Sequence, residues 1–368
     1  MGVKGLRKML YPFAPDQSGA AAVLYELGGM IIICDAGGCA GNVCGFDEPR
    51  WFRKRSAIFS AGLRDMDAIL GRDDLMVRKI AEAAGKLDAK FVAVIGTPVP
   101  ATIATDYKAI RRMAEKRVGL PVLTVDTNGI LWYDEGASKA YTELFRCFAE
   151  DCAPEEKVAG SVGVLGVTPL DLDRLDAGER IREVLQSQGA SRVQCYSMDS
   201  NLEEARNAGR MARNLVVSPS GLRAARELKK RFGTPYTCGD PLIGDVWDDL
   251  LSKQPDLPQQ LRGKRVLILH QQIRANALRD RIRQETEAAE IHAATWFRLV
   301  RSLAETGDFK IREEDEFFDR VVGGQYDVIF ADPSFRKPLR TWDGLFVDLP
   351  HFAVSGQIEH DEVAPFYS

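Results

Sequence analysis

Short, continuous apolar runs recur along this chain, each followed by a turn and then an amphipathic helical stretch. That rhythm restricts the fold more than any other feature. The first round holds GMIIIC (29–34), KFVAVIG (90–96) and PVLTVD (121–126), with helical patterns near 103–117 and 135–150. A break, DCAPEEK (151–157), ends it. The second round holds VAGSVGVLGV (158–167), RVQCYS (192–197) and NLVVS (214–218), with helical stretches at 171–188 and 220–232. A polar, proline-bearing connector, LSKQPDLPQQLRGK (251–264), leads to RVLILH (265–270), a long helix through about 290, and YDVIFAD (326–332). Strands that are apolar at every position are buried on both faces, which requires parallel sheets covered by helices on each side. An α/β fold of three Rossmann-like domains follows, at 1–152, 153–258 and 259–368. Ligands of such sheets sit beyond the carboxyl ends of the strands. The loops expected to carry function are therefore 34–50, 96–106, 126–134, 166–170, 217–221, 270–274 and 331–338.

Charge and hydropathy remove several classes. A formal net charge of −4 over 368 residues argues against a nucleic-acid binder that works by neutralising phosphates. No apolar run approaches the roughly 18 residues that span a bilayer, so no membrane association is expected. The opening MGVKGLRKMLYPFAPDQ has no long apolar core followed by a small-residue cleavage site. A cytoplasmic location is the expectation. Seven cysteines, an odd number in a long chain, do not suggest a disulfide framework.

Three of them crowd one turn. In IIICDAGGCAGNVCGFDEPRW (31–51), Cys34, Cys39 and Cys44 fall at an even C-x4-C-x4-C spacing among glycines. Glycine lets backbone approach a bulky group, and thiolates at a helix start suit a soft metal or an iron–sulfur cluster. The spacing matches neither a ferredoxin run nor a zinc pair, and no dinucleotide or P-loop fingerprint is present. Two readings stand: metal or cluster ligands, or small buried hydrophobes. The pair Cys147 and Cys152 and the mid-strand Cys195 read as packing residues. DEPRW (47–51) reads as a solvated capping turn or a docking surface, and FRKPLR (335–340) as a cationic loop.

Taken in order, several segments resemble component 1 of the nitrogenase superfamily, in a short, single-subunit form. PDQSGAAAVLYELGGMIIICDAGGC (15–39) looks like the opening segment that ends in Gly-Cys after a strand. SAIFSAGLRDMDAILGRDDLMVRKI (56–80) and VIGTPVPATIATD (94–106) resemble the next two passages. ARNLVVSPSGLRAARELKKRFGTPYTCGDPLIG (212–244), GKRVLILHQQIRANALRDRI (263–282) and LPHFAVSG (349–356) resemble parts of the second and third domains. The superfamily spans nitrogenase subunits, cofactor-assembly scaffolds and tetrapyrrole reductases.

The resemblance implies three Rossmann-like domains and an iron–sulfur cluster shared between two component 1 subunits. It also implies an ATP-dependent iron protein that delivers electrons, and a substrate or cofactor cavity between the domains. Only Cys39 matches a cluster cysteine. The first position falls near Ala14–Asp16, where Asp16 could ligate through oxygen, and the third is Pro98, which cannot. Cys34 or Cys44, on the same loop, is expected to join Cys39 in place of the missing ligands. Two thiolates from each of two protomers would hold one 4Fe–4S cluster, in a homodimer or beside a paralogous subunit. Ser218 stands where the iron–molybdenum cofactor's cysteine would fall, so that cofactor is not expected. Ser218, His270 and His351 are expected to line the cavity. The implied function is a reductase of an unidentified, tetrapyrrole-like substrate; the alternative is an assembly scaffold or carrier without turnover.

Overall fold

The computed structural model describes residues 9–54 and 56–356. It contains three parallel sheets flanked by helices. The first has the order β2-β1-β3-β4, built from β1 (Met30–Ile33), β2 (Ala57–Ser60), β3 (Val92–Ile95) and β4 (Val122–Val125). The second runs β6-β5-β7-β8, from β5 (Val158–Leu165), β6 (Arg192–Cys195), β7 (Met211–Val216) and β8 (Tyr236–Cys238). The third runs β11-β10-β9-β12-β13, from β9 (Arg265–Leu269), β10 (Glu290–Thr295), β11 (Phe309–Lys310), β12 (Val328–Ala331) and β13 (Leu345–Asp348). All ladder pairings are parallel. The α/β class with three sheets is as expected.

The interior strands β1, β3, β5, β7, β9 and β12 are legible as apolar runs because both of their faces are covered; the edge strands β4 and β6 are legible too, whereas the interior β10, which opens on Glu290 and holds His292, is not. In β1 every residue is buried. Met30 and Ile32 face one core with Met76, Ile80 and Ile110, while Ile31 and Ile33 face another with Ala93 and Ile95. The edge strands β2, β8 and β13 are half exposed, so they lack a continuous apolar signature. The helix Asp16–Leu24 also carries no periodicity, because all nine of its residues are buried. The helix expected from 171 starts at Ala177, after Asp173 takes φ 56° and ends a short turn at Pro169–Leu172.

One helix ties the first two sheets together. Tyr133–Phe148 buries Tyr141, Leu144 and Phe145 in a core that also holds Leu165, Tyr196, Val216 and Leu228 of the second domain. It crosses Asp16–Leu24 at backbone contact. A Cβ on Gly19 would lie 1.9 Å from the Tyr133 carbonyl oxygen, and one on Gly136 would lie 1.7 Å from that of Asp16. Only glycine permits that approach. The third domain joins through Ala14 N–H, which donates to the Ala353 carbonyl at 2.8 Å. Among the described residues no helix is long and apolar enough to cross a membrane.

Candidate functional site

The cysteine loop leaves the carboxyl end of β1, in the middle of the first sheet. The buried Asp35 carboxylate shapes its start, accepting from Ala40 N–H at 2.8 Å and from the Ser60 hydroxyl at 2.5 Å. Gly37, at φ 128°, turns the chain into a short helix, Gly38–Asn42. A π-helical turn, Val43–Asp47, follows directly. Such turns mark functional segments often enough to attract notice. Asp47 closes the turn, accepting from Ser18 Oγ at 2.6 Å and Asn42 Nδ2 at 2.7 Å. Burial pushes its carboxyl up to about 7.

DEPRW is not a solvated turn. Asp47, Glu48 and Arg50 are all buried. The Arg50 guanidinium meets Glu48 at 2.7 Å, Glu26 at 2.9 Å and the Ala22 carbonyl at 2.7 Å, and it lies 4.6 Å over the Tyr25 ring. Lys54 extends the network from Glu26 to Asp199 of the second domain. The tether holds the cysteine loop rigid, because a buried charge without all its partners would be costly.

The three thiols do not share one environment. Cys39 and Cys44 are partly exposed on the loop, and Cys39 packs against the core that holds Ile31 and Ile33. Cys34 is 1% exposed and belongs to the core on the other sheet face, its Sγ 3.7 Å from Met76 Sδ. The period-2 alternation of the strand sends it there. The expectation that Cys34 joins the ligand set is therefore corrected: it is a packing thiol, pushed up to about 12 by burial and then by Asp73 and Asp35. Asp16 is corrected too. It is fully buried, and its two oxygens accept from Asn128 N–H at 2.9 Å and Gly129 N–H at 2.7 Å. It organises the loop after β4.

Burial and then the Glu48 charge raise Cys44 to about 11; burial and then Asp35 raise Cys39, against a hydroxyl contact from Thr97. Burial thus holds both thiols protonated. Iron would have to displace their protons. Cβ atoms built at Gly37, Gly38, Gly41 and Gly45 would meet nothing within 4 Å, so the loop presents a bare surface. Among the described residues no group of three or more His, Cys, Asp or Glu is placed to hold an ion.

Ser218, His270 and His351 do come together, but not around open space. Ser218 Oγ donates to Asp171 Oδ1 at 2.5 Å, and Tyr133 O–H donates to the same oxygen at 2.9 Å. His351 Nε2 lies 3.0 Å from the Tyr133 hydroxyl and so donates to it. The His351 ring stacks on His270 at 4.0 Å. His270 Nδ1 accepts from Gln271 N–H at 2.8 Å, which places its proton on Nε2, facing the Pro350 carbonyl at 3.0 Å. Burial holds it neutral, well below the usual imidazole range, with His351 and Arg274 adding to the effect. Phe297 packs edge-on against Tyr133 at 4.8 Å and His351 at 5.1 Å. The expected cavity lining is corrected accordingly. All three residues are buried in a bonded junction of the three domains that Tyr133 fills. Sequence reading had not singled out Tyr133 or Asp171. The one available signal was their position, in or next to loops that follow β4 and β5.

A family model described as nitrogenase component 1 type oxidoreductase matches residues 16–253. Among curated proteins, the chain is 26% identical over 185 residues to the nitrogenase iron-molybdenum cofactor biosynthesis protein NifE of Bradyrhizobium diazoefficiens, covering 48% of this chain and 32% of that one. It is 28% identical over 181 residues to NifE of Clostridium pasteurianum, covering 48% and 38%. Against NifE of Klebsiella pneumoniae it is 24% identical over 371 residues, covering 82% and 71%. The first two matches span about a third of those relatives' length. Among solved structures, nitrogenase Cp1 at pH 6.5 superposes with a TM-score of 0.73 at 13% identity, covering 95% of this chain and 88% of that one. That likeness bears on the fold alone. With the family model matching well over half of the chain across the first two domains, the chain belongs to the nitrogenase component 1 type oxidoreductases.

Proposed function

We propose that this chain is the component of a nitrogenase-like oxidoreductase that accepts electrons from an ATP-dependent iron protein. A 4Fe–4S cluster between two component 1 protomers, identical or paralogous, would be the entry point. Cys39 and Cys44 would be this chain's ligands. The observation that carries the reading is the placement of these two thiols. They are partly exposed on one rigid, glycine-bared loop at the carboxyl end of a central strand, while Cys34 is turned into the core. Bound there, a cluster would supply low-potential, one-electron chemistry tuned by burial and by hydrogen bonds from the loop.

The chain's own residues hold that loop. Asp35 fixes its entry, Asp47 its exit, and Arg50 anchors it to the helix Asp16–Leu24. No iron–molybdenum cofactor is proposed, because Ser218 supplies a hydroxyl already committed to Asp171. A tetrapyrrole-like substrate remains part of the reading. A second reading, assembly of a metal cofactor without turnover, is favoured by the curated relatives, whose names state cofactor biosynthesis.

Anaerobic purification with iron and sulfide analysis and EPR tests the proposal, on wild type, Cys39→Ala and Cys44→Ala. About four irons per dimer and a reduced-cluster signal, both lost in each variant, are expected. A protein that stays iron-free after reconstitution would overturn it. Loss in Cys39→Ala alone would remove Cys44 from the ligand set. Electron uptake from an ATP-dependent iron protein, followed by substrate turnover, separates the reductase from the assembly reading.

A further inference from the structure

Of the chain's six asparagines, Asn128 alone is followed by glycine. The pair sits in the loop between β4 and the helix Tyr133–Phe148, and the turn there demands both residues. Gly129 has φ 71°, a left-handed conformation that strains other residues. A Cβ at that position would also lie 2.5 Å from the Pro98 ring. Asn128 Oδ1 accepts from Ile130 N–H at 2.9 Å and from Leu131 N–H at 3.2 Å, the work of an Asx turn. The fold has thereby placed, next to a side-chain amide, the backbone nitrogen that is least shielded by a side chain of its own.

That nitrogen is held from behind. Gly129 N–H donates to Asp16 Oδ1 at 2.7 Å, and Asn128 N–H donates to Asp16 Oδ2 at 2.9 Å. Asp16 N–H donates in turn to the Leu131 carbonyl at 2.9 Å, and Pro15 bridges to Trp132. One fully buried residue therefore pins the loop from both sides. Its carboxylate also opposes loss of the Gly129 proton, because a second negative charge would form beside the first. Asn128 and Gly129 themselves are only half-buried, and the next residue, Ile130, is 76% exposed. Solvent reaches the pair as soon as the clamp opens.

We propose that Asn128 is a site of spontaneous deamidation gated by the Asp16 clamp. With the clamp open, solvent hydroxide takes the Gly129 N–H proton and the nitrogen attacks Asn128 Cγ. The N–Cγ bond forms, the Cγ–Nδ2 bond breaks, and ammonia leaves with a proton from water, which regenerates the hydroxide. Water then opens the resulting succinimide, at Cγ to give aspartate or at the main-chain carbonyl to give isoaspartate. Neither product restores the clamp. Each puts a new carboxylate on the residue whose N–H Asp16 accepts, and like charges so placed repel. Isoaspartate also routes the backbone through the side chain and moves the Gly129 nitrogen off its acceptor. The modification thus works in one direction, loosening the loop that carries Ile130 and Leu131. It needs neither iron nor the cysteine loop, and stands or falls separately from the cluster.

The test holds the full-length, iron-free protein in warm, mildly alkaline buffer beside the same chain unfolded in guanidinium chloride. Residue 128 is followed by peptide-mapping mass spectrometry and by isoaspartyl methyltransferase labelling. In the unfolded chain Asn128 should convert faster than the other asparagines. In the native protein its conversion should be at least about tenfold slower, as for any site exposed only by local opening. Asp16→Ala, if folded, should lose most of that protection, and Asp16→Asn, which keeps one acceptor oxygen without the charge, should fall between. Asn128→Asp, which carries the aspartate product from the start, should speed amide exchange across residues 128–132. Equal rates in native and unfolded chains, an Asn128 that stays an amide when unfolded, full protection in a folded Asp16 variant, or unchanged exchange in Asn128→Asp would each overturn the proposal.

Discussion

Residue by residue, this protein spends its buried polar groups on fixing loops. Asp47 is the clearest case. Its carboxyl titrates near 7 because burial outweighs the hydroxyl and amide donors on Oδ2. A folded-state pKa above the unfolded value of about 3.9 means that stability is fully present below pH 4. That stability is lost as the pH rises through about 7. Asp47→Asn keeps an acceptor for Ser18 and Asn42 without the charge. The variant should gain on wild type by a few kcal/mol between pH 4 and pH 8, read as a growing difference in denaturation midpoint. A pH-independent difference would show that Asp47 does not titrate in this range. At the junction, Tyr133→Phe removes the acceptor of His351 Nε2–H and one donor to Asp171. A loss of about 1–3 kcal/mol is expected, measured by urea denaturation. An unchanged midpoint would mean that the hydroxyl is not buried between those partners.

Elements are placed by how closely their backbones can approach. The helices Asp16–Leu24 and Tyr133–Phe148 cross with Gly19 and Gly136 against each other's carbonyls. Gly136→Ala puts a methyl where the Asp16 carbonyl sits, and helix backbones cannot yield as a flexible side chain does. It should cost more than about 3 kcal/mol or abolish soluble expression. Gly38→Ala, in the cysteine loop, meets nothing within 4 Å and should leave stability within about 1 kcal/mol of wild type. Equal effects at the two positions, in parallel thermal melts, would refute the close crossing. This crossing also places Tyr133 in the junction and Asp16 under the loop after β4, where Asp16 accepts from Asn128 and Gly129.

Across the whole molecule, the proposed cluster ties the oligomer to the thiols. With Cys39 and Cys44 on one loop and no third ligand beside them among the described residues, a four-thiolate cluster requires a second protomer. Anaerobic reconstitution should shift the sedimentation mass from that of the 40.8 kDa chain to about twice it, or to a pair with a paralogous subunit. The double variant Cys39→Ser/Cys44→Ser should not respond to iron. A mass that ignores iron in wild type would show that the loop does not bridge protomers.

What the sequence by itself determined is the three-round α/β rhythm, the central strands and the loops at their carboxyl ends. Local patterning suffices there: β1, β3, β5, β7 and β9 are apolar because helices cover both of their faces. It also marked the cysteine loop and the loop that holds Tyr133. Tertiary structure decided the rest. Cys34 was lost to the core by the alternation of its strand, Asp16 by two backbone N–H groups more than a hundred residues away, and the expected cavity by a tyrosine from another domain. Each outcome depends on a partner distant in the chain, and no local pattern carries that information. Spacing along a sequence says which side chains are near in number; only the packed sheets and helices determine which of them face the same space.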